Sequence, residues 1–305
     1  MTEADSPPEA RARLRSLLGE LPDPRRPIGA EQRDEVAREG YVLESWVLEL
    51  NGLEPVPALV ARPARPAGPA PAILYSHSHG GRYDVGKREL VEGRSYLQPE
   101  PYAAALVREG WIALAVDHWC FGERARETEL TTFKAMLWQG RVLWGMMVHD
   151  SLRALDWLAA RADVDPARLG ALGMSMGSTM SQWVAALDER VKVTVDLCCL
   201  TEWNTLLAEK GLAGHGIYYY VPALLRHFTT AELEALVVPR AHLSVAGLRD
   251  PLTPSAGLAI VDRALRAAYA AAGHPERWRL VTQDVGHEET AEARAEAIAF
   301  LRAFL

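Results

Sequence analysis

Gly173-Met-Ser-Met-Gly177 restricts this chain more than any other five residues in it. A strand-like run, Arg168 to Leu172, precedes it and a helix-forming run, Met176 to Leu187, follows it. The chain must therefore leave a strand and enter a helix within one sharp turn. Glycines at 173 and 177 remove the side chains that would collide in such a turn, and the serine between the two methionines stands exposed at its apex. A chain built around that unit is an α/β protein.

The rest of the sequence keeps the same rhythm. Residues 1 to 40 are charged, and Pro22, Pro24 and Pro27 interrupt any helix, so they read as a short helix around Glu9 to Leu18 and then an irregular arm. Together these make an N-terminal helical extension. Strand-like runs follow at Tyr41 to Leu50, Val56 to Ala61 and Ala70 to Tyr75. Strands at Trp111 to Val116, Arg168 to Leu172, Val191 to Leu197, His242 to Gly247 and Trp278 to Gln283 then alternate with helices. The helical stretches lie near Pro101 to Glu109, within Leu130 to Ala162, at Met176 to Leu187, across Ser255 to Ala272 and from Glu289 onward. Such alternation predicts a mostly parallel sheet with helices on both faces, occupying residues 41 to 305. Residues 200 to 240 break the rhythm as an insertion, and long segments at that place in an α/β sheet commonly cover a site.

At 305 residues, 49% hydrophobic and 24% charged, the chain buries a core and is neither disordered nor fibrous. A formal net charge of −7 leaves no basic excess to neutralise phosphates, which speaks against nucleic acid as a partner. No run approaches the roughly 18 apolar residues of a membrane span. Met1 to Ala10 carries acids and prolines where a signal peptide has a basic and then an apolar segment. Cys120 and the adjacent Cys198 and Cys199 make no disulfide framework and read as small buried hydrophobes in a reducing cytoplasm.

A serine hydroxyl is a poor nucleophile until a base takes its proton, and the base needs an acid to hold its ring. His287, in Asp284-Val-Gly-His-Glu288 just past the last strand, is the best base. Asp250, in Gly247-Leu-Arg-Asp-Pro-Leu-Thr-Pro254 at the end of the preceding strand, is the best acid. Ser175, Asp250 and His287 all fall at carboxyl ends of strands, where open α/β sheets place their sites. Charge developing on an attacked carbonyl oxygen also needs backbone donors. The amide of Met176 opens the helix after the serine, where the macrodipole helps. The amide of His79, in the loop Tyr75-Ser-His-Ser-His-Gly-Gly81, completes the candidate oxyanion hole. His77 and His79 also suit a metal pair, but no third ligand is evident, so neither metal nor cofactor is expected.

Together these residues resemble the α/β-hydrolase superfamily and, within it, the dienelactone-hydrolase-like and acetylxylan-esterase-like serine hydrolases, relatives of the catalytic domains of prolyl oligopeptidases. The resemblance spans residues 41 to 305. It is carried by His77-Ser-His-Gly-Gly81, Asp117-His-Trp-Cys-Phe-Gly-Glu-Arg124, Val164-Asp-Pro-Ala-Arg-Leu-Gly170 leading into the elbow, Pro239-Arg240 and Gly286-His287. It implies an α/β-hydrolase fold with an eight-stranded sheet and a triad in the order Ser175, Asp250, His287 that hydrolyses carboxylic esters without a cofactor. Ser78 and Ser178 stand where relatives usually carry glycine, and Ser175 stands where dienelactone hydrolases often carry cysteine.

The function expected is a serine esterase acting on small or medium esters through an acyl-enzyme. Two alternatives stay open at this point: a peptidase that removes acyl-amino acids, and a non-catalytic binding protein on the same fold. Substrate contacts are expected from the insertion, at His215, Tyr218, Tyr219 and Tyr220, whose rings offer apolar area with polar tips, and from Trp119. Asp117, Glu123 and Arg124 read as scaffold. The expected partner is a small ester, with no nucleic acid and no membrane. Oligomeric state is open, the N-terminal arm being free to reach a second subunit of a homodimer.

Overall fold

Ala70-Pro-Ala-Ile-Leu-Tyr-Ser76 is buried along its whole length, as a strand covered on both faces must be. In the computed structural model, which describes residues 6–65 and 67–305, this run is the fourth of nine strands. They are β1 (Gly29–Arg38), β2 (Tyr41–Glu49), β3 (Val56–Pro63), β4 (Ala70–Ser76), β5 (Ile112–Val116), β6 (Val164–Met174), β7 (Val191–Leu197), β8 (Ala241–Gly247) and β9 (Trp278–Gln283). Their order across the sheet is β1-β2-β3-β5-β4-β6-β7-β8-β9. The strands from β5 to β9 run parallel, and β1, β2 and β3 extend one edge by antiparallel pairing.

The helices are α1 (Pro7–Ser16), α2 (Glu89–Glu92), α3 (Tyr102–Arg108), α4 (Glu129–Trp138), α5 (Leu143–Ala159), α6 (Met176–Leu187), α7 (Trp203–Ala208), α8 (Thr230–Glu234), α9 (Ser255–Ala271) and α10 (Ala291–Phe304). Side chains alternate across a strand, so β4 feeds two cores. Ala72 and Leu74 join Leu143, Met147 and Trp183 from α5 and α6. Ile73 and Tyr75 join Leu106, Ala297 and Leu301 from α3 and α10. Because β4 has β5 on one side and β6 on the other, the loops leaving its carboxyl end and that of β6 diverge and open a crevice.

Two expectations need correction. The sheet has nine strands instead of eight because residues 29–38, read as an irregular arm, pair with β2 from Gly29↔Glu49 to Arg38↔Tyr41. Every residue of β1 is exposed, so it carries no apolar alternation; backbone hydrogen bonds hold it, and its charged side chains guard the edge. The helical stretch within Leu130 to Ala162 is two helices, because Gly140 takes a φ of 74° and turns the chain between α4 and α5.

The N-terminal helix is present as expected, and it docks on its own domain. Ser6 and Glu9 form a capping box ahead of Pro7. Leu14 and Leu18 are fully buried. Arg11 donates to Ala186 O and to Leu236 O just past α8 (both 3.0 Å), and Arg15 to Leu187 O (3.3 Å), so that two carbonyls at the end of α6 are satisfied. No helix among the described residues is long and apolar enough to cross a membrane.

Candidate active site

Ser175 leaves β6 with φ 59° and ψ −119°, a conformation an L residue keeps only when its surroundings over-determine it. Its amide donates to Leu197 O of β7 at 2.8 Å. Met174 and Met176 are fully buried in the two cores on opposite faces of the sheet, so the flanking methionines pin the turn from both sides. A Cβ on Gly177 would lie 1.9 Å from Ser76 O, and one on Gly173 would lie 2.2 Å from Gly177 O. Both positions therefore require glycine. Ser175 is 8% exposed, so the turn the sequence places at an open apex is recessed in the crevice.

The loops after β8 and β9 are laced together. Leu248 N donates to Gln283 O (2.8 Å) and Arg249 N to Val285 O (2.9 Å), while Gly247 leaves room for Gly286 O, which a Cβ there would meet at 2.1 Å. This lacing brings Asp250 Oδ2 to 2.6 Å from His287 Nδ1. The other carboxylate oxygen, Oδ1, accepts from Leu252 N at 2.9 Å. Asp250's side chain has no solvent exposure and that of His287 keeps 22%. A carboxylate held this way keeps the proton on Nδ1 and leaves Nε2 as an acceptor.

The loop after β4 is anchored from below. His77 is buried and its imidazole is lowered to about 4 by desolvation, so it is neutral. Nδ1 donates to Ser78 O (3.0 Å) and Nε2 accepts from His118 N (3.2 Å), which leaves His77 no free nitrogen for a metal. Ser78 N donates to Glu89 Oε1 at 3.0 Å, as does Tyr75 OH at 2.8 Å. The Ser78 hydroxyl bonds both to Glu89 and to Tyr96 OH. Burial raises the Glu89 carboxyl, and Arg94 faces it at 3.4 Å while also donating to Gly80 O. The departure from glycine at position 78 thus has a use: its hydroxyl ties the loop to Glu89 and Tyr96. Tyr96 also sets its ring edge-on to His287, 6.3 Å between centroids. Sequence reasoning missed both Glu89 and Tyr96; Ser78 was the signal that pointed at them.

The His79 amide, half of the expected oxyanion hole, has no hydrogen-bond partner among the described residues, while its carbonyl accepts from Arg82 N at 3.2 Å. Its ring stacks on Tyr218 at 5.5 Å, which brings the insertion down onto this loop. The other amide, at Met176, opens α6 directly after Ser175. His215 reaches the Asp250 loop, its Nε2 3.1 Å from Leu252 O, and burial lowers its imidazole. Tyr219 stacks on His215 at 4.6 Å and accepts from Trp203 Nε1, whereas Tyr220 OH donates to Leu212 O. Of the four insertion residues, Tyr218 and His215 thus touch the loops that carry the site, and Tyr219 and Tyr220 face away into the insertion. Trp119 lies under the Arg124 guanidinium, 4.5 Å from its centroid, as part of the scaffold. Lys87 joins Asp117 and Glu123, and Arg124 joins Glu54 and Asp150, as that reading expects.

Cys198, just past β7, has its sulfur within 4.8 Å of ligand atoms of both Asp250 and His287, a grouping that is in principle able to share an ion. Burial pushes its thiol far up, and His287 Nδ1 is already committed to Asp250, so an ion would have to displace both a proton and that hydrogen bond. The neighbouring Cys199 thiol is pushed up to about 11 by burial. All three cysteines are buried and free.

The pattern of the dienelactone hydrolase family matches residues 56–197. YtaP of Bacillus subtilis (strain 168), which carries the designation hydrolase, is 47% identical over 297 residues, 97% of this chain and 99% of YtaP. Among solved structures, a glucuronoyl esterase from Solibacter usitatus superposes with a TM-score of 0.71 at 16% identity, covering 97% of this chain and 91% of its own. An acetyl xylan esterase from Paenibacillus sp. R4 gives 0.66 at 19% identity, covering 100% and 96%. At such identities the structural likeness speaks for the fold alone.

Proposed function

Because this chain belongs to the dienelactone hydrolase family, we propose that it is a serine hydrolase of small or medium carboxylic esters that works through an acyl-enzyme on Ser175. The observation that carries this reading is the Asp250–His287 hydrogen bond of 2.6 Å at the carboxyl ends of the strands, the same end of the sheet that holds the strained Ser175. His287 Nε2 takes the Ser175 proton as Oγ attacks the ester carbonyl, and Asp250 stabilises the imidazolium that forms. The amides of Met176 and His79 receive the negative oxygen of the tetrahedral intermediate. Its collapse expels the alcohol, which takes the proton from His287; water activated by the same imidazole then releases the acid. The same reading takes the enzyme to be cytoplasmic, in keeping with three cysteines that remain thiols.

An organophosphonate probe tests the assignment. Wild type is expected to be labelled at Ser175 and to hydrolyse p-nitrophenyl acetate far faster than aminoacyl-nitroanilides, and Ser175→Ala to lose both labelling and hydrolysis. Equal labelling of the two proteins, or esterase activity retained in Ser175→Ala, overturns the nucleophile; faster cleavage of the anilides replaces esterase by peptidase.

A further inference from the structure

The insertion contains a cavity of its own. Trp203, Leu206, Leu212, Tyr219, Tyr220 and Leu224 surround about 340 Å³. Leu207 and Leu225 also line it and are 50% and 45% exposed, so its mouth lies at the surface. Ser175, Asp250 and His287 are not among its walls. The stacked rings of Tyr219 and His215 lie between it and the Asp250 loop.

The chemistry of the walls narrows what fits. Trp203 Nε1 is used on Tyr219 OH (2.8 Å) and Tyr220 OH on Leu212 O (2.5 Å). The nearby Glu202 carboxylate is turned to the amides of Asn204 and Thr205 at the start of α7. What remains to face a ligand is hydrocarbon and ring surface. A hydroxylated sugar would be desolvated there without partners, each buried hydroxyl losing its water with nothing in return. One charge breaks the pattern: Arg226 lines the cavity, and its guanidinium makes no ion pair or hydrogen bond among the described residues. A purely apolar ligand leaves that charge unused, whereas a monocarboxylate satisfies both features. The volume falls in the range of roughly 300–1,000 Å³ usual for small-molecule pockets.

We infer that the insertion, residues 200 to 240, carries a binding site, separate from Ser175, for a monocarboxylate with an aliphatic or aromatic body, held by its apolar part among Trp203, Leu206 and Leu224 with its carboxylate at Arg226. This stands whether or not Ser175 is a nucleophile. Titration calorimetry with octanoate tests it on the full chain. Saturable one-site binding is expected in wild type and equally in Ser175→Ala. Leu207→Trp and Leu225→Trp, each placing an indole at the exposed mouth, should weaken octanoate by about tenfold or more. Arg226→Gln should weaken octanoate by about three- to fivefold, the range for one exposed charge pair, while leaving 1-octanol unchanged. Absence of saturable binding to wild type, or octanoate affinity unaltered in both tryptophan variants at unchanged melting temperature, overturns the site. Equal loss of octanoate and 1-octanol in Arg226→Gln overturns the carboxylate assignment.

Discussion

At the elbow, Ser175 is fixed by neighbours that cannot step aside: backbone oxygens sit about where Cβ atoms of Gly173 and Gly177 would be, and two methionines are locked in opposite cores. The cap, residues 200 to 240, is held differently. Its longest helix is the 6-residue α7, its rings meet by stacking and single hydrogen bonds, and several leucines face water. A backbone-determined site tolerates almost no substitution, whereas a side-chain-determined one can be repacked residue by residue. On the proposed reading, the chemistry belongs to the backbone-determined region.

The largest effect expected is at the pair behind the serine. Asp250→Asn keeps the acceptor for Leu252 N but presents the wrong partner to His287, so kcat should fall by on the order of 10³ to 10⁴ while the melting temperature stays near wild type. Near-normal kcat would move the acid elsewhere, with Asp284 the first substitute. Gly177→Ala comes next: pressing a methyl onto Ser76 O should cost about 3 kcal/mol or more in urea unfolding and remove activity with it. A stable, active Gly177→Ala would mean that the elbow yields like the cap.

Under the loop after β4, folding lowers the His77 imidazole from 6.5 to about 4. The unfolded chain then binds a proton that the native one refuses, so this penalty is absent above about pH 6.5 and stability is lost as pH falls toward 4, by up to about 3 kcal/mol. His77→Gln should flatten the urea midpoint across that window; an unchanged slope would mean that His77 takes up its proton in the native state. Tyr96→Phe removes one hydrogen bond from Ser78 while leaving the ring against His287, so kcat should drop about fivefold with KM unchanged. A rise in KM alone would make Tyr96 a substrate contact instead of a positioning residue. The smallest effect is in the cap. Trp203→Phe breaks the bond to Tyr219 and should cost about 1 kcal/mol of stability, with p-nitrophenyl acetate turnover within about twofold of wild type. A hundredfold loss there would erase the distinction between the two regions.

The same distinction decided what could be read from the sequence. The elbow is contiguous: strand, glycine, serine, glycine and helix occupy neighbouring positions and each constrains the next. Asp250 and His287 are legible because each lies in a turn a few residues past a strand, and the lacing of their loops follows from the pairing of β8 with β9. β1 is invisible to periodicity because both its faces meet water. Tyr96 lies in a stretch without periodicity, and its meaning depends on Ser78 and His287 arriving from two other loops. The three tyrosines announced an aromatic pocket, but which partner each meets is set by short turns whose geometry no repeat records: Tyr218 stacks on His79, whereas Tyr219 and Tyr220 line the insertion's own cavity.

The arginines of α1 carry a consequence for synthesis. Arg11 bonds to the carbonyl of Leu236, 225 residues further along the chain. At about 5–20 residues per second, a ribosome needs on the order of 10 to 50 seconds to deliver that partner. Through this interval the Arg11 bond to Leu236 stays unmade, although the α5 and α6 surfaces that bury Leu14 and Leu18 are delivered earlier. The docking of α1 is thus completed in two stages, its leucines against α5 and α6 and its last arginine bond only once residue 236 has arrived.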